Sequence, residues 1–373
     1  MEHVDGAEVS ATWPSDEYGP AKVVFLRLPA GCDGVVVVDN VALGPAIGGV
    51  RMTRSVHAGE VARLARAMTI KNAAVGLPHG GGKSGITVSH EFDATTREQV
   101  LRAFAVAIRD LTEYVPGPDM GTDETAMAWI RDEIGRGVGL PSVLGGIPLD
   151  ELGATGYGLA VCAETLSEAG VVDLEGARVV VQGFGAVGQH AAQELAARGA
   201  VVVAVSDSRG ATFAADGLDI RALVGFKQDD PVAGFPGGTS MPRDDILGLD
   251  CEILVPAAQA DVITEQTVDQ LKARTVLQGA NIPVTARAEQ ILRERGVLSV
   301  PDVIANAGGV ICAFVEHRGG THEEAFAAIR SKIRASTLVL LDRIAAGRRP
   351  PRDEAVGLAL ERVATAQAYR RRF

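Results

Sequence analysis

The apolar run Arg178 to Gln182 ends on Gly183-Phe184-Gly185-Ala186-Val187-Gly188, a Gly-x-Gly-x-x-Gly turn between a predicted strand and a predicted helix. In that setting the first glycine permits the turn, the second lets a pyrophosphate approach, the third lets helix and strand pack, and the helix N-terminus faces the phosphates. Chance glycine loops are common, so the context carries the weight. A second strand, Ala200 to Val205, leads to Asp207, 207 − 188 = 19 residues past the last glycine, near the distance expected of an acid that grips ribose hydroxyls. Further buried runs at Glu252–Val255, Thr275–Leu277 and Leu298–Val300, separated by helical patterns, predict a doubly wound parallel sheet. Asp207 favours NAD by repelling a 2′-phosphate, while Arg209, two residues on, leaves NADP open.

The stretch Met68 to Lys83, MTIKNAAVGLPHGGGK, predicts a second centre. Val61, Leu64, Met68 and Val75 form an apolar helical stripe, and Lys71 lies on it. A lysine facing a core needs an anion, unless it snorkels to water. Pro78 stops the helix, and Gly80-Gly81-Gly82 is expected to leave a bare backbone loop open to a ligand, with N–H donors and Lys83 directly after it. Two lysines sharing a poorly hydrated cleft repel, which lowers the pKa of the less solvated one into the acid/base range. Asp119, beside Pro116-Gly117-Pro118, is placed in a loop, where either function or plain turn chemistry uses an aspartate. Gly279-Ala280-Asn281 and Asn306-Ala307-Gly308-Gly309 follow strands at the ligand-binding edge, although each asparagine is equally a helix cap.

Several of these segments, with Gly44-Pro45-Ala46-Ile47-Gly48-Gly49-Val50-Arg51-Met52 and Asp119-Met120-Gly121, resemble the glutamate/leucine/phenylalanine/valine dehydrogenases, in the family's order from about Val35 to His317. The resemblance implies an α/β fold of two domains. One is an α/β substrate and oligomerisation domain, residues 1–145 plus about 338–373, and the other a Rossmann dinucleotide-binding domain, 146–337. It implies that Lys71 and Gly49 bind substrate, Lys71 through the α-carboxylate, that Lys83 is the catalytic lysine and Asp119 the general base. Asn281 and Asn306 would line the cleft, Asn281 on the cofactor side as well, with Thr155 near the nicotinamide. It further implies reversible deamination of an amino acid to a 2-oxo acid and ammonia by a homo-oligomer, hexamer or octamer. A nucleotide-binding relative without activity is the alternative, and Lys71, Lys83 and Asp119 together speak against it.

By the same resemblance, glutamate-specific members carry a lysine at the position of Ile47 and a serine at that of Ala313, so an apolar substrate side chain is expected. Val310 and Ala313 share one helix face and with Ile47 can wall a pocket, and Gly117 leaves extra room, so leucine, valine and phenylalanine all stay open. Glutamate with a differently placed anchor is the second reading.

The chain's 373 residues favour two domains, and a net charge of −11 speaks against a nucleic-acid partner. The basic trio Arg370–Arg372 reads as a solvated helix end. No signal-peptide pattern opens the chain and no run of 18 uncharged apolar residues exists, so a cytoplasmic location and no membrane contact are expected. Four scattered cysteines and seven histidines lack ligand spacing, so no metal is expected. Residues 1–20 read as a loose lead-in, and Gly145–Pro148 as the domain link.

Overall fold

The computed structural model describes residues 13–347 and 349–369. Most of the expected lead-in and the Arg370–Arg372 trio lie outside the described residues. The first layer is a five-stranded sheet, β1 (Lys22–Arg27), β2 (Asp33–Asn40), β3 (Ala46–Thr53), β4 (Gly80–Thr87) and β5 (Tyr114–Pro118), in the order β1-β2-β4-β3-β5. β1 and β2 run antiparallel to their neighbours, and β3 is parallel to both β4 and β5. Helices α1 (Ala58–Ala74), α2 (Ala94–Ala107) and α3 (Glu124–Ile134) cover it. Asp93 and Asp123 cap the last two by accepting N–H bonds from Thr96 and Ala126.

β3 and β4 correct the expected glycine loop. Gly80–Gly82 begins an interior strand, so its N–H groups belong to a sheet and not to a ligand. A Cβ at Gly80 would lie 1.7 Å from the Asn40 carbonyl oxygen, and one at Gly81 2.0 Å from the Thr69 nitrogen. The glycines are there to let α1 and β2 close on β4, a gain in packing that outweighs the roughly 0.5–1 kcal/mol each costs in chain entropy.

That closeness fixes α1. Thr69 Oγ1 and Arg66 Nε donate to Asp39 at 2.6 and 2.9 Å, and Asn72 Nδ2 donates to the Gly80 carbonyl at 2.7 Å. The buried face of α1 is Val61, Ala65, Thr69, Asn72 and Ala73. The expected stripe is therefore rotated by about one residue: Met68 and Lys71 face a cleft instead of the core.

The second sheet contains β6 (Arg178–Gln182), β7 (Val201–Asp207), β8 (Gly210–Phe213), β9 (Thr239–Met241), β10 (Ile253–Pro256), β11 (Thr275–Leu277) and β12 (Leu298–Val300). Its order is β12-β11-β10-β6-β7-β8-β9. The first five strands are parallel, with β8 and β9 added antiparallel at one edge. The order in which the chain adds strands reverses between β6 and β10, while their direction does not, and such sheets bind ligands at that point. The chain is thus a two-domain α/β protein with a Rossmann-type sheet.

The helices of this half are α4 (Ala154–Glu168), α5 (Ala186–Ala196), α6 (Ile220–Phe226), α7 (Ala286–Glu294), α8 (Asp302–Ala305), α9 (Gly308–His317), α10 (His322–Ala346) and α11 (Pro351–Gln367). Position 338, the expected point of return to the first domain, falls inside the unbroken α10. α11 reaches back to α1, where Arg362 Nη1 donates to the Ala73 and Ala74 carbonyls at 2.8 Å. On α9 the buried Glu316 accepts backbone N–H bonds from Leu140 (3.1 Å) and Ile147 (3.2 Å), strapping the interdomain segment to the second half. Among the described residues no helix is long and apolar enough to cross a membrane.

Candidate active site

A cleft of about 600 Å³ opens between the two sheets. On the strand β3, alternate residues share a face, so Ile47, Gly49 and Arg51 point together towards it. Beside them β4 carries Lys83, 7% exposed, and the chain leaving β5 carries Asp119. Lys83 Nζ lies 2.7 Å from Asp119 Oδ2. Arg51 grips the same carboxylate, Nε to Oδ2 at 3.0 Å and Nη2 to Oδ1 at 3.4 Å, and passes its third nitrogen, Nη1, to Glu60 at 2.5 Å. Arg51 and Glu60 were not expected at the site.

Burial pushes the Lys83 ammonium below its ordinary pKa, opposed by Asp119 and assisted by the positive Arg51. Its like-charged neighbour is thus chiefly Arg51, not Lys71 as expected. Burial pushes Asp119 up, but Lys83 and Arg51 outweigh it and hold the carboxyl below the ordinary range. Arg51→Met should therefore move both limbs of the kcat/KM pH profile upward: the carboxyl loses a cation that favours its charge, and the ammonium loses a repelling neighbour. Arg51→Lys should restore part of the shift, and stationary limbs would show that Arg51 does not tune the pair.

Lys71, partly buried, extends from α1 to the opposite wall and donates to Asn281 Oδ1 at 3.4 Å. Burial lowers its pKa, with Asp302 opposing and the positive Lys83 assisting, so the expected repulsion between the two lysines acts on Lys71. Asn306 Nδ2 donates to Asn281 Oδ1 at 3.1 Å and to the Gly279 and Ala280 carbonyls at 3.2 Å. Its Oδ1 is buried with no partner, a state worth about 1–3 kcal/mol to relieve, so it awaits a donor. Neither asparagine acts as a helix N-cap here.

The far end of the cleft is apolar. Ile47, Val115, Val138 and Ala313 cluster, Val310 lines the same space, and a Cβ on Gly117 would come 3.1 Å from Val138 Cγ2. Thr155 and Val187 line the cleft on the Rossmann side. Among the described lining residues the only lysines or arginines are Lys71 and Lys83.

A second cavity of about 610 Å³ flanks the glycine turn and includes Gly183, Phe184, Gly185 and Asp207. A Cβ on Gly185 would meet nothing within 4 Å, whereas one on Gly188 would come 1.8 Å from the Gly183 carbonyl oxygen, so the space for phosphate is at Gly185 and the helix contact is at Gly188. Ala186 begins α5 and lines neither cavity, and Phe184, 1% exposed, lies in the core. Open space at the turn, the N-terminus of α5, and the partnerless buried acceptor Gln182 Oε1 fit a dinucleotide.

Asp207 is not free, however. Its Oδ1 accepts the Arg209 N–H at 2.8 Å, and its Oδ2 accepts the Val232 N–H at 3.1 Å and pairs with Lys227 Nζ at 2.8 Å. Burial raises its pKa, but Lys227 and the two N–H groups prevail and lower it. Arg209 offers its backbone N–H only and its side chain is absent from the cavity wall, so Lys227 takes the place expected of it.

The pattern of the Glu/Leu/Phe/Val dehydrogenase dimerisation domain matches residues 20–136, and that of Glutamate/Leucine/Phenylalanine/Valine dehydrogenase matches 145–371. A glutamate dehydrogenase of Aeropyrum pernix is 39% identical over 355 residues, covering 89% of this chain and 85% of its own. An NADP-specific glutamate dehydrogenase of Saccharolobus shibatae is 36% identical, covering 80% and 75%. The hetero-hexameric glutamate dehydrogenase of Thermus thermophilus, solved in a leucine-bound form, superimposes with a TM-score of 0.82 at 31% identity, over 95% of this chain and 91% of that one.

Proposed function

Because the chain belongs to the Glu/Leu/Phe/Val dehydrogenase family of amino-acid oxidoreductases, we propose that it interconverts an L-amino acid with its 2-oxo acid and ammonia, using NAD or NADP. The observation that carries this reading is the Lys83–Asp119 pair at 2.7 Å, lining the same cleft as Lys71.

Lys71 holds the substrate α-carboxylate, with Asn281 orienting its ammonium. The unpartnered Asn306 Oδ1 accepts an N–H within the closed cleft. Asp119, kept ionised by Lys83 and Arg51, accepts the proton of the substrate amine. A nicotinamide held beside Thr155 and Val187 would supply the acceptor for the hydride that leaves Cα, so that the substrate becomes an iminium. Water adds to the iminium carbon, and Lys83, its pKa lowered by burial, moves protons at the oxygen of the carbinolamine as ammonia departs. The strap at Glu316 lies in the segment that must flex for the cleft to close and exclude water.

Two readings of the substrate side chain stand apart. The relatives' names favour glutamate, and the comparisons back it over the apolar reading. The cleft favours an apolar group: with Lys71 and Lys83 engaged, a side-chain carboxylate against Ile47, Val310 and Ala313 has no cation, and leaving it unpaired there costs several kcal/mol. Measuring kcat/KM for leucine, valine, phenylalanine and glutamate side by side decides between them. The apolar reading predicts that glutamate is the poorest of the four. Glutamate ahead by more than about tenfold, or roughly 1.4 kcal/mol, would overturn it. The protein assembles as an oligomer in this reading, by analogy with the Thermus structure, which is a hetero-hexamer.

A further inference from the structure

An acid at the end of the second Rossmann strand discriminates against a 2′-phosphate by charge repulsion, so its effect depends on that charge being uncompensated. Asp207 does not meet the condition. Its side chain is 7% exposed, and the ammonium of Lys227 is 2.8 Å away. Lys227 follows α6, 20 residues further along the chain, and lines the same cavity as Asp207 and the glycine turn. Arg243 lines it too. Among the described residues its side chain pairs only with its neighbour Asp244, which is 83% exposed, and a contact so open to water is worth little. The cavity wall therefore carries two cations and two carboxylates: Lys227 cancels Asp207, and Arg243 is held only by the solvent-exposed Asp244.

We propose that Lys227 sets cofactor choice in this chain, neutralising Asp207 so that the cavity accepts a 2′-phosphorylated adenosine dinucleotide alongside the unphosphorylated one, with Arg243 as the phosphate's second cation. The proposal rests on the reading of this cavity as the adenosine end of a dinucleotide site. It differs from the sequence expectation, in which Asp207 repels the phosphate and Arg209 alone could welcome it.

The test is calorimetric titration of the full-length protein, without amino acid, with 2′,5′-ADP and 5′-ADP. The wild type should bind 2′,5′-ADP no more than about tenfold more weakly than 5′-ADP. Lys227→Met leaves Asp207 held by two N–H groups but uncompensated in charge. It should weaken 2′,5′-ADP at least tenfold while changing 5′-ADP less than about threefold, and Lys227→Arg should recover most of the loss. Because the readout is a ratio within each variant, a general loss of folded protein cancels. Wild-type discrimination above about a hundredfold, or an unchanged ratio in Lys227→Met, overturns the proposal. Binding of neither ligand removes the dinucleotide site itself, whereas normal binding with no turnover would count only against the catalytic reading.

Discussion

Lys83→Ala is expected to lower kcat by about 10²–10⁴-fold and to leave dinucleotide affinity within about threefold of the wild type. The argument starts from what the substitution leaves behind. Removing one member of a buried ion pair normally costs about 3–5 kcal/mol because the other charge is stranded. Here Asp119 keeps both contacts to Arg51, so the carboxylate stays paired and the sheet that carries it stays folded. What disappears is the group that moves protons at the carbinolamine oxygen. The glycine turn lies on the other sheet, which is why binding of the dinucleotide is spared. Steady-state kinetics and calorimetry on the same preparation provide the check, and ordinary turnover by Lys83→Ala would remove Lys83 from the mechanism.

Gly49→Ala should cost about 10²-fold in kcat without removing any charged group. A Cβ at Gly49 would lie 2.8 Å from Asp119 Cβ, 2.7 Å from the Pro118 carbonyl oxygen and 3.0 Å from Lys83 Nζ. One of these must shift by several tenths of an ångström or more, and two are backbone or backbone-proximal atoms in a paired strand end. A displacement approaching 1 Å at a reacting group is enough for a loss of that size. Gly225→Ala on α6, where a Cβ meets nothing within 4 Å, is the control and should leave kcat unchanged. Equal activity of the two variants would mean that the Lys83–Asp119 geometry tolerates displacement.

Much of the Rossmann half was legible because its strands are runs of β-branched residues, such as Arg178–Gln182 and Thr275–Leu277, bounded by glycine turns. β3 and β4 were not. The glycines of β4 answer to the Asn40 carbonyl and the Thr69 nitrogen, contacts made across 40 and 12 residues that no local propensity encodes. The apolar stripe of α2 outruns the helix, which ends at Ala107, because Ile108 and Leu111 complete it from the turn that follows. Lys71 was found for a partly mistaken reason. A cleft-facing stripe and a core-facing stripe on α1 differ by one residue, and periodicity reads both as burial. Arg51 had a sequence signal: once β3 is read as a strand, period 2 puts Ile47, Gly49 and Arg51 on one face. Lys227 had none, because its partner is 20 residues away on another element.

The ten residues of α9 span about 15 Å and behave as a rigid rod. One end follows Asn306, the middle carries Val310 and Ala313, and the other end carries Glu316 with the backbone of Leu140 and Ile147 in its grip. A side chain that crowds the middle of the rod also tilts the grip at its end. On the proposed reading of the cleft, the pocket is a caliper whose jaw and pivot are one piece, and a poorly fitting substrate is expected to register as incomplete closure, in kcat more than in KM.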